Sequence, residues 1–213
     1  PVLYNATFAI EITPTLVAYA GTVTGLEESG IAPGNAANRN ETLPAIATRQ
    51  RDAGLRWSIS EDVRLVAGLF DVRKPYFNLD ANGRFDALGE VINRGIELSV
   101  SGPITRRLSI VAGGVLLWPR VTGEGVALGR VGDRPVGAIS RRIEVNLDWR
   151  PPILEGLGVD MAISHRSPET ATVSARTAIP ARTLVDLGAR YSFKLAGQSV
   201  LLRLQIENLA DLQ

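Results

Sequence analysis

The sequence predicts an all-β protein, and more narrowly an antiparallel up-and-down transmembrane β-barrel segment of about ten strands. Three observations favour this fold class. Apolar and polar residues alternate with period two in successive stretches, the connections between the stretches are alternately short and long, and aromatic residues lie near the short connections. A strand with one apolar and one charged face suits a wall that contacts lipid on one side and water on the other.

The stretch at residues 199–208 shows the alternation most fully. Its two faces consist of Val200, Leu202, Leu204 and Ile206 on one side, and of Leu201, Arg203, Gln205 and Glu207 on the other. In a soluble sheet the polar face would meet bulk water. In an outer-membrane barrel the apolar face would meet lipid and the polar face a water-filled interior.

The other strands precede it in pairs. The predicted strands cover residues 4–12, 16–24, 53–59, 63–75, 95–102, 108–118, 142–150, 159–164, 185–193 and 199–208. Alternation is clean in 53–59 and 142–150, blurred in 16–24, and apolar on both faces in the middle of 63–75. Each pair closes with a turn of a few residues that is rich in Pro, Gly or Ser, because such residues interrupt a ladder or favour turns.

The opposite ends of the strands carry the longer connections, at residues 26–47, 78–83, 119–140 and 166–180. Short turns at one end and longer loops at the other are typical of bacterial outer-membrane barrels. Four aromatic residues, Trp57, Trp149, Tyr191 and Phe193, lie on the apolar face near the short turns. Because aromatic rings favour the boundary between lipid and water, this row predicts one interfacial girdle.

Composition narrows the function classes. With 213 residues, net charge +1 and no cysteine, the chain suits a single domain over residues 1–213 and gives no indication of nucleic-acid binding, disulfides or thiolate metal ligands. No apolar stretch is long enough for a membrane helix or resembles a signal peptide. The chain opens inside a strand-like pattern without an initiating methionine, so we expect it to be incomplete.

Catalytic and metal sites are not predicted. His165 is the one histidine, and its neighbour Ser164 points to the other face of the strand, which argues against a hydrolase triad. The pair Glu27 and Glu28 is better explained as solvated loop charge than as a cation site. We therefore expect neither an enzyme nor a protein-bound metal or cofactor.

Several segments, taken in their order and spacing, resemble the C-terminal barrel region of TonB-dependent outer-membrane receptors, in particular siderophore receptors. They are Val17-Ala-Tyr-Ala-Gly-Thr-Val-Thr-Gly-Leu26, Thr48-Arg-Gln-Arg-Asp-Ala-Gly-Leu-Arg56, Leu69-Phe-Asp-Val-Arg-Lys-Pro-Tyr-Phe77, Asn93-Arg-Gly-Ile-Glu-Leu98, Val185-Asp-Leu-Gly-Ala-Arg-Tyr191 and Gln205-Ile-Glu-Asn-Leu-Ala-Asp211. The stretch Asn208-Leu-Ala-Asp211 is similar to the family's near-terminal Asn-Leu-Phe-Asp, with Ala210 in place of the aromatic residue.

This resemblance implies a plugged barrel of about 22 strands, of which the present strands would be roughly the twelfth to the twenty-first. The plug, the segment that contacts TonB and the last strand would then lie outside the chain, which would form an open partial barrel with two unpaired edges. The function implied is TonB-dependent uptake of ferric siderophores across the bacterial outer membrane, with iron arriving as a chelate. The partners implied are the ferric siderophore, outer-membrane lipid and TonB acting through the plug.

Two sets of residues would serve this function. Candidate ligand contacts in or beside the long connections are Glu28, Arg39, Asn40, Arg49, Arg73, Lys74, Tyr76, Arg120, Arg130 and Arg134. Candidates for the interior, facing the plug or the transport path, are Arg56, Glu97, Arg142, Glu144, Asp148, Asp186, Arg190, Arg203 and Glu207. Two other hypotheses are consistent with the sequence. One is a small self-contained pore or adhesin barrel, in which strands 4–12 and 199–208 pair, and the other is a soluble β-rich binding module.

Overall fold

The computed structural model describes residues 3–209. Its main feature is a ten-stranded sheet in which every neighbouring pair of strands is antiparallel. The elements in chain order are β1 (Asn5–Thr13), β2 (Leu16–Glu27), β3 (Ile46–Ser58), β4 (Arg64–Leu79), β5 (Phe85–Thr105), β6 (Leu108–Thr122), α1 (Glu124–Ala127), β7 (Arg141–Trp149), β8 (Leu157–Arg166), β9 (Glu169–Thr170), β10 (Ala178–Ile179), β11 (Arg182–Leu195) and β12 (Gln198–Ile206).

The strand order follows the sequence, β1-β2-β3-β4-β5-β6-β7-β8-β11-β12, and β9 and β10 form a separate two-stranded hairpin. This confirms the predicted all-β, up-and-down arrangement. Within the described residues β1 pairs with β2 and β12 with β11, and the sheet is open between them. The pairing required by a self-contained ten-strand barrel is therefore absent from this sheet. Ala210 and Asp211 of the near-terminal motif lie outside the described residues.

Short turns join the strands at one end of the sheet. The turn between β11 and β12 places Ala196 and Gly197 at φ 50° and 81°, the paired positive values of a type I′ hairpin that follows the natural twist of the strands. At the turn before β8, Gly156 has φ 84° and a Cβ there would collide with the carbonyl oxygen of Ser192. The backbone at that position requires glycine.

Register assigns each strand residue to one of two faces, because residues opposite each other in an antiparallel pair share a face. The face that carries Leu55, Ala67 and Leu98 is called the outer face, and the face that carries Arg56, Val66 and Ser99 is called the inner face. Large apolar side chains on the outer face are exposed, among them Leu69 at 58% and Leu98 at 53%. An apolar face left uncovered over many strands suits contact with lipid.

The strands are longer at the loop end than the sequence pattern predicts. β4 continues past Pro75 to Leu79 and β5 begins at Phe85, so the expected connection at 78–83 is a tight turn at the tip of a long hairpin. Pro75 pairs with Glu90 within this ladder, and a register shift follows between Tyr76 and Phe77. In residues 3–209 no helix has the length and apolar character needed to cross a bilayer.

Candidate functional site

The inner face carries a row of charged side chains that crosses several strands. Strand register places Arg56, Glu97, Arg142, Glu144, Asp148, Asp186, Arg190 and Arg203 on this face, and Glu207 follows directly after β12. These are the residues for which an interior position was predicted. Strand alternation predicts only the face on which each residue lies, whereas the structure also shows which of these residues contact one another.

Arg190 is the centre of one contact group on the inner face. Its guanidinium donates to Asp148 Oδ2 at 2.5 Å and to Asp160 Oδ1 at 3.3 Å, and Arg203 lies 3.9 Å from Asp160. Asp148 and Asp160 are direct cross-strand partners, so their carboxylates would repel each other without a cation between them. Arg190 therefore ties β7, β8 and β11 together. Asp160 was not among the predicted interior residues, although its strand parity indicates this face.

A second contact group surrounds Tyr19, whose facing was not decided by the blurred pattern of β2. The Arg56 guanidinium lies over its ring at 4.7 Å, a cation–π contact. The ring occupies space left by two glycines, since a Cβ at Gly54 or Gly68 would lie 2.6 or 2.9 Å from the Tyr19 hydroxyl oxygen. Tyr19 thus lies flat along the inner face, and glycine at these positions permits it.

Polar contacts continue on the inner face at the loop end. Glu27 accepts hydrogen bonds from the Thr48 hydroxyl and from Lys74 Nζ, the latter at 3.3 Å. Two residues further along β4, the Tyr76 hydroxyl accepts a hydrogen bond from Asn78 Nδ2 at 3.1 Å. Lys74 and Tyr76 share the parity of Val66 and therefore face inwards.

The Glu27 contacts predict a pH dependence. The Thr48 hydroxyl, and secondarily Lys74, lower the pKa of the Glu27 carboxyl below its ordinary value of 4.5. Because the folded-state pKa is lowered, the contact stabilises the fold above the ordinary pKa, and this stabilisation is lost as pH falls through the lowered value. In carbon-13 NMR titrations we expect Thr48→Val to move the Glu27 pKa upwards. An unchanged Glu27 titration in this variant would contradict the assignment.

The connection at residues 28–45 is folded onto the tip of the β4–β5 hairpin. Ala32, Ala36 and Leu43 are buried, and they pack with Phe77, Leu79 and Phe85 of the hairpin. Two polar contacts fix the same surface. The Asn38 side chain accepts from the Phe85 amide at 2.8 Å and donates to its carbonyl oxygen at 3.2 Å, and Arg84 donates to both Glu41 carboxylate oxygens at 2.8 and 2.9 Å. This unit is called the first loop lobe.

The connections at residues 123–140 and 167–181 form a second loop lobe. The amides of Gly132 and Gly137 donate to the carbonyl oxygens of Val173 and Thr170. The buried Ser167 hydroxyl accepts from the backbone amides of Ser140 and Arg141 at 2.9 and 3.1 Å. Backbone hydrogen bonds of this kind give irregular segments a defined shape.

His165 contacts two structural partners on the outer face. Its Nδ1 is 2.8 Å from the Thr183 hydroxyl, its Nε2 is 3.2 Å from Arg141 Nη2, and Ser164 lies on the inner face. Across residues 3–209 no three His, Cys, Asp or Glu side chains are grouped closely enough to hold a metal ion.

The ligand candidates separate onto different surfaces. Glu28, Arg39, Asn40, Arg130 and Arg134 are exposed on the loop lobes or their edges, and Lys74 and Tyr76 face inwards.

Arg49, Arg73 and Arg120, in contrast, lie on the outer face of β3, β4 and β6. They were expected beside ligand-binding loops. Register corrects this position, because a residue on the outer face of the wall points away from the interior. The girdle residues Trp57, Trp149, Tyr191 and Phe193 also lie on the outer face near the short turns, and the rings of Tyr191 and Phe193 stack at 5.4 Å.

Comparison with known proteins gives one consistent result. The family model for the β-barrel of TonB dependent receptor-like proteins matches residues 2–209. The ferrichrome receptor FcuA of Yersinia enterocolitica is 25% identical over 175 residues, which cover 82% of this chain and 23% of FcuA.

Solved structures agree on the fold. BauA, the ferric preacinetobactin receptor of Acinetobacter baumannii, superposes with a TM-score of 0.80 at 28% identity, over 97% of this chain and 32% of BauA. The siderophore receptor PiuA of the same organism has a TM-score of 0.80 at 19% identity, over 98% of this chain and 32% of PiuA, and shows the same fold. The chain thus spans about a quarter to a third of the length of these relatives. It belongs to the β-barrel family of TonB-dependent receptors, which are proteins of the bacterial outer membrane.

Proposed function

We propose that the protein containing this chain takes up ferric siderophores across the outer membrane, with energy supplied by TonB. The observation that carries the proposal is the family match over residues 2–209. FcuA and BauA, at 25% and 28% identity, are receptors for ferrichrome and ferric preacinetobactin. Residues 1–213 would then act as one unit of barrel wall, and iron would arrive as a chelate without a resident cofactor.

The loop end offers the chemistry needed for capture. Ferric siderophores are commonly anionic or aromatic, and cationic and aromatic side chains bind such ligands through charge-assisted hydrogen bonds and ring contacts. Lys74 and Tyr76 face inwards directly below the first loop lobe, which packs on the neighbouring Phe77 and Leu79. We therefore retain Lys74 and Tyr76, with the exposed Arg39, Asn40, Arg130 and Arg134, as ligand contacts. Glu28 would border the same surface.

The inner face suits a second role in the proposal. Positively charged guanidinium groups and negatively charged carboxylates lie next to each other on this face and are partly exposed. Arg190 with Asp148 and Asp160 is an example. Such a surface can form hydrogen bonds and ion pairs with a plug that moves when TonB acts on it. The interior residues from Arg56 to Glu207 would hold the plug or line the path that it opens.

Uptake of iron-55 tests this proposal. The full-length natural protein is produced in a Gram-negative host without its own siderophore receptors and supplied with ferric hydroxamates, ferric catecholates or, as a competing substrate, labelled cobalamin. We expect accumulation from at least one ferric siderophore, and we expect it to be lost in a host without TonB. Uptake of cobalamin alone, or uptake independent of TonB, would overturn the proposal.

A matched pair of variants tests the capture site. Lys74→Ala removes an inward cation, and Arg73→Ala removes a cation from the adjacent position on the outer face. We expect Lys74→Ala to weaken binding of the transported ferric siderophore by about tenfold, the magnitude of one charge-assisted contact. Arg73→Ala should leave affinity within about twofold. Equal effects of the two substitutions would remove Lys74 from the site.

A further inference from the structure

The outer face of β3 to β6 carries a group of arginines at its loop end. Arg49, Arg73 and Arg120 lie in one cross-strand row, and Arg51 and Arg94 lie in the next row with Asp71 between them. These five arginines are called the arginine patch. Three strand spacings span about 14 Å, and successive rows on one face are about 7 Å apart. The patch is thus small enough for one lipid headgroup to contact several of its members.

The rows towards the short turns are apolar. They read Ala53, Leu69, Ile96 and Leu116; then Leu55, Ala67, Leu98 and Gly114; then Trp57, Leu65, Val100 and Ala112. Trp118, which lies beside Arg94 in the second arginine row, is 52% exposed. The arginine patch therefore lies at the loop-side boundary of the lipid-facing band. Since the longer loops of outer-membrane barrels face outwards from the cell, this boundary is the headgroup level of the outer leaflet.

Carboxylates neutralise only part of the patch. Asp71 accepts from Arg73 Nε at 2.6 Å and from Arg94 Nε at 2.8 Å, and Glu90 is 3.9 Å from Arg73 Nη1. Among the described residues, Arg49, Arg51 and Arg120 have no carboxylate within ion-pair distance. On β2 the two rows continue with the neutral Thr22 and Thr24, so the patch ends at β3 on that side. On the other side, the outward Arg141 of β7 lies beside Leu116 in the adjoining row.

We propose that the arginine patch binds the phosphate groups of a phosphorylated glycolipid in the outer leaflet. Guanidinium groups bind phosphate oxygens in a bidentate geometry, which suits headgroup recognition better than a point charge does. The exposed Leu69 and Ile96 in the row directly below, together with Trp118 beside Arg94, would contact the acyl chains. The phosphates of one lipid would thus contact the arginine rows at the loop end, and its acyl chains would contact the apolar rows that follow towards the short turns. This inference depends on the outer-membrane family and not on the siderophore.

Lipid retained by the full-length natural protein tests the site. The protein is extracted from the outer membrane, exchanged into a neutral detergent and titrated with purified glycolipid in phosphorylated and dephosphorylated forms. The test variant combines R49Q, R51Q and R120Q, which removes the three arginines without a carboxylate partner. The control combines R64Q, R106Q and R107Q, which removes the same charge at the short-turn end.

We expect the test variant to bind the phosphorylated glycolipid roughly tenfold more weakly than the unaltered protein, with the control unchanged. Dephosphorylation should weaken binding to the unaltered protein to a similar extent. Equal retention by test and control variants would overturn the proposal, as would binding insensitive to dephosphorylation. Displacement of the lipid by millimolar inorganic phosphate would show a free-anion site and overturn the assignment to a lipid. Iron uptake measured in parallel separates this result from the transport proposal.

Discussion

A Leu98→Arg substitution is expected to destabilise the folded barrel by about 2–4 kcal/mol, because it places a charge in the middle of the lipid-facing band. Leu98 lies in the central apolar row between Ala67 and Gly114 and is 53% exposed. In a soluble sheet, a charge at so exposed a position would cost little. We expect the variant to show a lower urea midpoint in lipid vesicles and less heat-modifiable folded protein in the outer membrane.

Ser99→Arg is the matched control for this prediction. Ser99 follows Leu98 on the same strand and is exposed on the inner face, near Glu97 and Glu144. A cation there meets carboxylates and water, so we expect a change of about 1 kcal/mol or less. A similar loss of stability in both variants would contradict the assignment of the outer face to lipid.

Arg190→Gln is expected to destabilise the fold by about 1–3 kcal/mol. Loss of one partner of a buried ion pair costs roughly 3–5 kcal/mol, and the value here is reduced because the side chains of Arg190, Asp148 and Asp160 are 28%, 36% and 30% exposed. The loss arises because Asp148 and Asp160 then face each other across β7 and β8 without the bridging guanidinium. Urea unfolding of the full-length natural protein measures it.

Two further variants test whether the loss of stability in Arg190→Gln comes from the bridge between Asp148 and Asp160. Adding Asp160→Asn to Arg190→Gln removes the repulsion, so we expect the double variant to recover part of the lost stability as a non-additive coupling. Arg142→Gln is the control, since Arg142 is 61% exposed and contacts Glu144 on its own strand. We expect that change to cost less than 1 kcal/mol. Additive effects at positions 190 and 160 would show that the bridge does not stabilise the sheet.

Strand alternation was sufficient to predict the ten strands of the sheet and the facing of the clean ones. In β7, Arg142, Glu144, Asn146 and Asp148 alternate with apolar residues, and a period of two fixes both faces without knowledge of the partners. Alternation failed in β2, where Tyr19 lies on the same parity as valines and a glycine. Its ring is placed by Gly54 and Gly68 on β3 and β4, which are distant in the sequence and become neighbours only through strand pairing.

The positions at which the strands end on the loop side also depend on contacts with residues distant in the sequence. Pro75 indicates the end of a strand because it cannot donate a ladder hydrogen bond. β4 nevertheless continues to Leu79, where residues 28–45 pack on Phe77 and Leu79 from across the loop end. Local sequence does not contain this packing partner.

The sequence by itself determined the all-β class, the pairing of neighbouring strands and the resemblance to TonB-dependent receptors, because all three depend on patterns within or between adjacent segments. The tertiary structure decided which charged residues act together. Arg49, Arg73 and Arg120 were candidates for ligand capture by loop proximity, and strand register places them on the outer face. The physical reason is that a shift of one residue exchanges the two faces of a strand, so register between strands determines whether an arginine meets lipid or the interior.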